Sequence, residues 1–193
     1  PNTENLGLEA TRVELDRGFI KVNPNQQTAE PGIYAIGDVV AGTPQLAHVA
    51  TAEGLVAMAH IAGKPVQPIK RNRIPGATYT EPGIGSVGLT EAQAKAAGHN
   101  VKVGKFPFSA NSKASITGHH EGFVKIVADA KFGEILGVHI IGHHGYELIA
   151  EAVAAMEAEA TVDTLINTIH AHPTQYEALG EAFNAVYGMA INA

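Results

Sequence analysis

EGFVKIVADAKFGEILGVHIIG, residues 121–142, holds two apolar runs of strand length separated by the short stretch from Ala130 to Gly133. Runs rich in Val and Ile and bounded by turn residues read as strands, and a short connection containing a glycine gives the spacing of a hairpin. Two further strand candidates stand upstream, ATYTEPGIGSVGL at 77–89 and KVGKFPF at 102–108. Together the four predict an antiparallel sheet. Between them TEAQAKAAG, residues 90–98, opens with a Thr90-x-x-Gln93 capping box and closes on Gly98, the marks of a short helix. A second helix is predicted over YELIAEAVAAMEAEA, residues 146–160, with Leu148, Ile149, Val153 and Met156 along one stripe. Helices on one side of an antiparallel sheet make this half of the chain α+β.

The texture upstream is different. GFIKV at 18–22 and IYAI at 33–36 read as short strands, separated by the turn residues of NPNQQTAEPG. Ile33, Tyr34, Ala35 and Ile36 follow one another without polar alternation, the pattern of a strand buried on both faces in a parallel sheet. Such a strand needs neighbours, and the first seventy residues hold too few, so the chain is expected to be a piece of something longer, cut upstream. A helix is predicted from Gln45 to about Ile61, stopping at Gly63. After it Pro65, Pro68 and Pro75 disfavour both helix and central strand, which reads as an extended crossing between two domains.

A chain of 193 residues with 45% apolar content can bury one substantial core or two modest ones. The net charge of −6 is spread without long runs, which argues against nucleic acid and against a polybasic membrane patch. No apolar run approaches the roughly 20 residues of a membrane span. A soluble, cytoplasmic protein is expected. The sequence has no cysteine, so disulfide scaffolding, thiolate zinc sites and cysteine nucleophiles are excluded from this chain.

Two stretches carry candidate chemistry. In IYAIGDVV a strand ending at Gly37-Asp38 and feeding a helix would set a carboxylate at the edge where open α/β sheets bind ligands. The glycine lets a ligand approach the backbone, and the helix start at Leu46-Ala47-His48 can face a phosphate or a ring edge. A buried strand followed by a plain Asp turn fits the same spacing. The second stretch, IHAHPTQYEALGEA at 169–182, has three readings. Thr174-x-x-Glu177 after Pro173 is itself a capping box that would start a helix at Thr174. His170 and His172 match no ligand spacing, although His119-His120 and His143-His144 are further donors, so no metal site is expected. Third, Glu177 one turn into a helix could fold back on His172, fix its tautomer and make it a proton acceptor. Spacing alone leaves these open.

TAEPGIYAIGDVV, QLAHVATAEG, ATYTEPGIGSVGLTEAQAKAAG, KFPFSANSKA, EGFVKIVADAKFGEILGVHIIG and IHAHPTQYEALGEA, in this order, resemble the carboxyl-terminal part of the flavoprotein disulfide reductases, the class I pyridine nucleotide-disulfide oxidoreductases. The resemblance covers essentially the whole chain and is closest to the branch that oxidises dihydrolipoamide. It implies that residues 1–70 are the last part of an α/β FAD-binding domain and residues 71–193 an α+β interface domain that makes a homodimer. It further implies FAD and NAD as cofactors, and lipoamide carried on an acyltransferase subunit as the partner. By the same resemblance Asp38 would meet the flavin ribitol, Leu46, Ala47 and His48 would lie against the flavin, His172 would be the catalytic base and Glu177 its orienting partner.

The departures are also informative. The Gly-rich dinucleotide turn, the nicotinamide domain and the redox cysteine pair of the family are absent, so the chain alone is expected to be inactive. His143-His144-Gly145-Tyr146-Glu147 differs from the Gly-Pro-rich turn of the family at that place. Within the family a glutathione-type or mercuric reductase is the alternative, although the latter needs thiols near its carboxyl terminus and AFNAVYGMAINA has none. From a different class, the chain could be a dimerisation module alone. Leu148, Ile149, Val153 and Met156 would then face a second copy, unless they cover the sheet of their own chain.

Overall fold

The structure is a computed structural model and describes residues 1–192, which divide into two compact units, residues 1–71 and the residues from 72 on. In the first unit Leu15–Asp16 (β1) and Phe19–Ile20 (β2) form a minimal antiparallel hairpin, with Leu15 opposite Ile20. Ile20, Ala35 and Val40 form its small core, flanked by Leu8, Val13, Val22 and Val39. The helix Ala47–Ile61 (α1) buries Val49, Glu53 and Ala57, one position per turn, and closes at Gly63, whose φ of +65° is the left-handed conformation of a helix stop.

The strand expected at Ile33 to Ile36 does not form. Its one ladder contact among the described residues is an isolated bridge between Gln27 and Tyr34, and Ile33 and Ile36 are 37% and 44% exposed. A strand is stabilised by neighbours that take its backbone donors and acceptors. Here those groups are used by the preceding loop instead, through Thr28 N to Ile33 O at 3.0 Å and Ala35 N to Gln26 O at 3.1 Å.

The second unit is a five-stranded antiparallel sheet built from Gly76–Thr78 (β3), Gly83–Gly88 (β4), Val101–Pro107 (β5), Phe123–Asp129 (β6) and Ile135–Gly142 (β7), in the order β3-β4-β7-β6-β5. The central β6-β7 pair is the hairpin read from residues 121–142, with its turn at the place expected. The stretch 77–89, expected as one strand, is two. Thr80 Oγ1 donates to Pro82 O at 2.8 Å across the reversal, and Pro82 has no N–H with which to continue a ladder, so the run breaks there and folds back on itself.

Both faces of this sheet are used, which corrects the expectation of helices on one side. Gly145–Glu157 (α4), Val162–Ile166 (α5) and Glu177–Ala185 (α6) contribute to the main core, with Phe106, Val124, Ile126, Val138 and Ile140 pointing up from the strands. The helix Glu91–Ala96 (α2), opened by the Thr90 and Gln93 capping box as expected, belongs to a separate cluster in which Ala94 meets Val127 and Leu136. The register shift between Val127 and Ala128 makes this possible. Ala128 pairs with Ile135 and Val127 with Gly137, so β7 carries Leu136 as an extra residue turned to the α2 side.

The stripe of α4 covers the sheet of its own chain. Leu148, Ile149 and Met156 are buried in the main core and Val153 packs at its margin. Close packing at the start of α4 depends on a glycine, because a Cβ on Gly85 would collide with the Gly145 carbonyl. Phe106, Phe108 and Phe183 are fully enclosed, and burying a side chain of that size stabilises the fold by about 1.5–3 kcal/mol. No helix among the described residues is long and apolar enough to cross a membrane.

Candidate active site

The loop of residues 167–176 joins α5 to α6 and holds the two histidines of the terminal stretch. Glu177, the first residue of α6, uses both oxygens on it: Oε1 lies 2.9 Å from His172 Nδ1, and Oε2 accepts from the Thr174 N–H at 2.8 Å. Thr174 Oγ1 donates to Ala171 O at 2.7 Å. The capping box read at Thr174-x-x-Glu177 is thus half made, and the helix begins at Glu177 rather than at Thr174, because the hydroxyl is committed to the loop. The loop is anchored from below by Asn111, almost fully buried, which donates to Thr174 O at 3.1 Å while its Oδ1 caps the helix Ser112–Thr117 (α3) at the Ala114 N–H.

The electrostatics of the pair follow from these bonds. Partial burial raises the Glu177 carboxyl, but the Thr174 N–H and the His172 ring together outweigh it and hold the group below its ordinary range. Glu177 is therefore a carboxylate near neutral pH, an acceptor only. We assign the proton of neutral His172 to Nδ1, facing that acceptor, which leaves the Nε2 lone pair unshared on a ring whose side chain is 69% exposed.

A second His–carboxylate pair lies beneath the first. His170 Nε2 is 2.7 Å from Glu151 Oε1 of α4, with the His170 side chain only 12% exposed, and its ring packs against Gly180 of α6. Nineteen residues separate the two partners, so no local spacing signals the contact. Lys113, Thr117, His143, His144, Pro173 and Tyr176 line a groove of about 540 Å³ alongside the loop.

In the first unit, Asp38 sits in a 3-10 turn, Gly37–Val39, with its side chain exposed. Gly37 has a φ of +76°, open to glycine at little cost, and its N–H donates to Glu53 Oε2 at 2.6 Å. Glu53 is completely buried, and its Oε1 has no hydrogen-bond partner among the described residues. In the sequence it reads as one more polar residue of α1, with nothing to mark it. Gln45 Nε2 donates to the Asp38 carbonyl at 3.3 Å, which draws the turn toward Leu46, the N-cap of α1, and the exposed Ala47 and His48 that follow it.

A five-stranded antiparallel sheet carrying an exposed His–Glu pair at the start of its last helix belongs to a known class of domain. The dimerisation domain of the pyridine nucleotide-disulphide oxidoreductases matches residues 74–183, and a second domain of the pyridine nucleotide-disulphide oxidoreductases matches residues 1–54. The chain belongs to this family. At the level of single proteins, it is 51% identical over 191 residues to the dihydrolipoyl dehydrogenase of Bacillus subtilis, covering 99% of this chain and 40% of that protein. It is also 51% identical over 193 residues to that of Thermus scotoductus, covering 100% of this chain and 41% of that protein. Among solved structures, LpdA from Mycobacterium tuberculosis superposes with a TM-score of 0.88 at 31% identity, over 95% of this chain and 40% of that one. The flavoprotein disulfide reductase RclA of Escherichia coli gives 0.87 at 25% identity, over 95% and 42%. The chain thus spans about 40% of the length of the relatives it matches.

Proposed function

We propose that this chain is the carboxyl-terminal part of a dihydrolipoyl dehydrogenase, a flavoprotein that oxidises dihydrolipoamide to lipoamide with NAD as the final acceptor. In this reading residues 1–70 are the last part of the FAD-binding domain and residues 71–193 the interface domain of a homodimer. The partner is lipoamide carried on an acyltransferase subunit, in the cytoplasm. The observation that carries the reading is the exposed His172 ring, its Nδ1 held 2.9 Å from a carboxylate that burial and two hydrogen bonds have already fixed in place.

The proton chemistry follows from that geometry. A substrate thiol presented to Nε2 of His172 gives up its proton there, and the resulting thiolate is the species able to attack a disulfide. The imidazolium formed is stabilised by Glu177, and the same proton returns when the reaction runs backwards. This chain has no cysteine, so the disulfide is supplied from outside it, in this reading by the partner protomer.

The residues of the first unit fit a flavin. Asp38 offers an exposed carboxylate to ribitol hydroxyls from a turn whose glycine and buried Glu53 fix its path, and the start of α1 at Leu46, Ala47 and His48 presents the positive end of a helix to a polar ring edge. When bound, FAD supplies two-electron transfer between a dithiol and a nicotinamide. No residue of this chain is assigned to NAD.

For the homodimer, the exposed apolar residues are not those of the α4 stripe, which is buried. Ile169, 97% exposed within the histidine loop, and Tyr79 and Ile116 are among those available instead. A second copy docked over Ile169 would bring His172 close to it, as a shared site requires.

The deciding experiment uses the full-length protein. His172→Gln is expected to lower lipoamide turnover by about 10²–10⁴-fold, the usual worth of a positioned general base, with flavin absorbance retained. Near-normal turnover would remove the assignment. Activity on glutathione disulfide or mercuric ion with none on dihydrolipoamide would keep the family and change the substrate.

A further inference from the structure

Three side chains far apart in sequence meet at one end of the sheet of the second unit. Gly83 pairs with Gly142 at the end of the β4-β7 ladder, so Glu81, just before β4, and His143, just after β7, emerge side by side. Phe123 pairs with Ile141, so the segment leading into β6 arrives at the same edge and brings His119 with it. His119 is held there by its own backbone, its N–H donating to Ala114 O at 3.0 Å where α3 stops at Gly118. The rings of His119 and His143 stack at 3.7 Å with 4° between their planes, and His143 Nδ1 is 3.3 Å from both oxygens of Glu81. One nitrogen from each ring and one Glu81 oxygen all lie within 4.8 Å of one another.

We propose that Glu81, His119 and His143 bind a borderline divalent metal ion of the zinc, nickel or copper(II) type, with at least one coordination position left to water or an incoming ligand. A hydrogen bond between His143 and Glu81 explains two of the three residues. It does not explain a second imidazole laid parallel to the first with a nitrogen within 4.8 Å of the same carboxylate. Two neutral imidazoles and one carboxylate are the donor set that such ions prefer, whereas magnesium and calcium take oxygen donors. The donor atoms, within 4.8 Å of one another, are close enough to share an ion once the side chains turn. Ligands about 2.0–2.1 Å from a tetrahedral ion stand roughly 3.4 Å apart. The two rings are parallel, so their in-plane lone pairs do not yet converge, and binding requires the His119 and His143 rings to turn out of the stack toward Glu81, whose side chain is 61% exposed. On binding, the ion replaces the proton on His143 Nδ1, which the ring then carries on Nε2. Sequence spacing points away from a metal here, because Glu81 and His143 are 62 residues apart and only the ladder ends join them.

The test is titration of the whole chain with zinc sulfate by calorimetry, with magnesium chloride as the control ion. One zinc per chain is expected, insensitive to excess magnesium. Glu81→Gln should weaken it by about tenfold or more, and the double variant His119→Ala with His143→Ala should abolish it. His172→Ala, which alters the other histidine site, should leave it unchanged. Glu81 is exposed, so Glu81→Gln is expected to keep the fold, and melting curves of this variant and of the double variant without zinc separate a lost site from unfolding. Copper(II) bound to the chain should show electron paramagnetic resonance splitting from two imidazole nitrogens. Zinc binding that survives the double variant, that disappears in His172→Ala, or that is absent from the unmodified chain would overturn the proposal.

Discussion

Residues 33–40 and residues 135–142 are both apolar runs that pass through a glycine, and they behave in opposite ways. Ile135–Gly142 is paired on both sides, to β4 and β6, with most of its side chains enclosed. Ile33 to Val40 makes two isolated bridges and turns two isoleucines outward. An apolar run states that its side chains are to be covered. It does not state by what. The hairpin at 121–142 carries its own neighbour a short turn away, so the pairing is completed by local sequence, whereas nothing comparable flanks Ile33. If the first unit packs against further chain in the whole protein, as proposed above, Ile33 and Ile36 are the side chains that would be covered there.

The largest expected effect tests whether the enclosed region owes its stability to that packing. Phe183→Ala removes a fully buried ring from α6 against β5 and β6 and should cost about 3–5 kcal/mol, while Ile36→Ala, on a half-exposed side chain, should stay within about 0.5 kcal/mol. Urea denaturation followed by circular dichroism reads both, and comparable losses would break the contrast. Hydrogen exchange sharpens it without mutation. Amides of Phe123–Asp129 should exchange far more slowly than those of residues 33–36, because only the former sit in a ladder paired on both edges. Equal protection would mean that the first unit is held by something other than sheet pairing.

A smaller effect is expected from Glu53, which fixes a turn of the first unit from inside. Glu53→Ala leaves the Gly37 N–H without its acceptor, which should cost about 1–3 kcal/mol and speed exchange at Gly37 itself. Unchanged exchange at that amide would show that the turn does not depend on the carboxylate.

What can be read from the chain, and what cannot, divides along the same line. The β6-β7 hairpin, the capping box of α2 and the stop of α1 at Gly63 are legible because each is made by residues within a few positions of one another. His172 and Glu177, five residues apart, are legible as a possible pair but not as an actual one, since the same spacing serves a capping box, and in the structure Glu177 takes part in both. The break at Pro82 is visible as a proline but not as a strand end. Glu151 with His170, Glu53 with Gly37, and Glu81 with His119 and His143 are not legible at all. Those contacts are set by where strands end and which helix crosses which, and a residue-by-residue reading has no access to that. The α4 stripe fails in a different way: its period predicts a buried face correctly and cannot say whether the cover comes from the same chain.

The smallest expected effect concerns Glu91, which joins α2 to the face of the sheet opposite the main core. Its Oε2 accepts from Lys125 Nζ at 2.7 Å and its Oε1 from Lys95 Nζ at 2.7 Å, and these two ammonium groups, Lys125 first, draw the carboxyl down to about 2. The folded value lies below the ordinary one of 4.5, so the carboxylate contributes stability that is complete above that pH and is lost as the pH falls from there toward 2. Wild type and Glu91→Gln should therefore differ in urea midpoint at pH 6, by an amount that shrinks as the pH is lowered through 4.5 toward 2. The groups are solvent-accessible, so the difference should be small and should shrink in 1 M salt, where screening acts over about 3 Å. A difference that persists undiminished in acid and in high salt would mean that Glu91 supports α2 by packing its stem against the sheet rather than by its charge, and that this second cluster is held together in the same way as the main core.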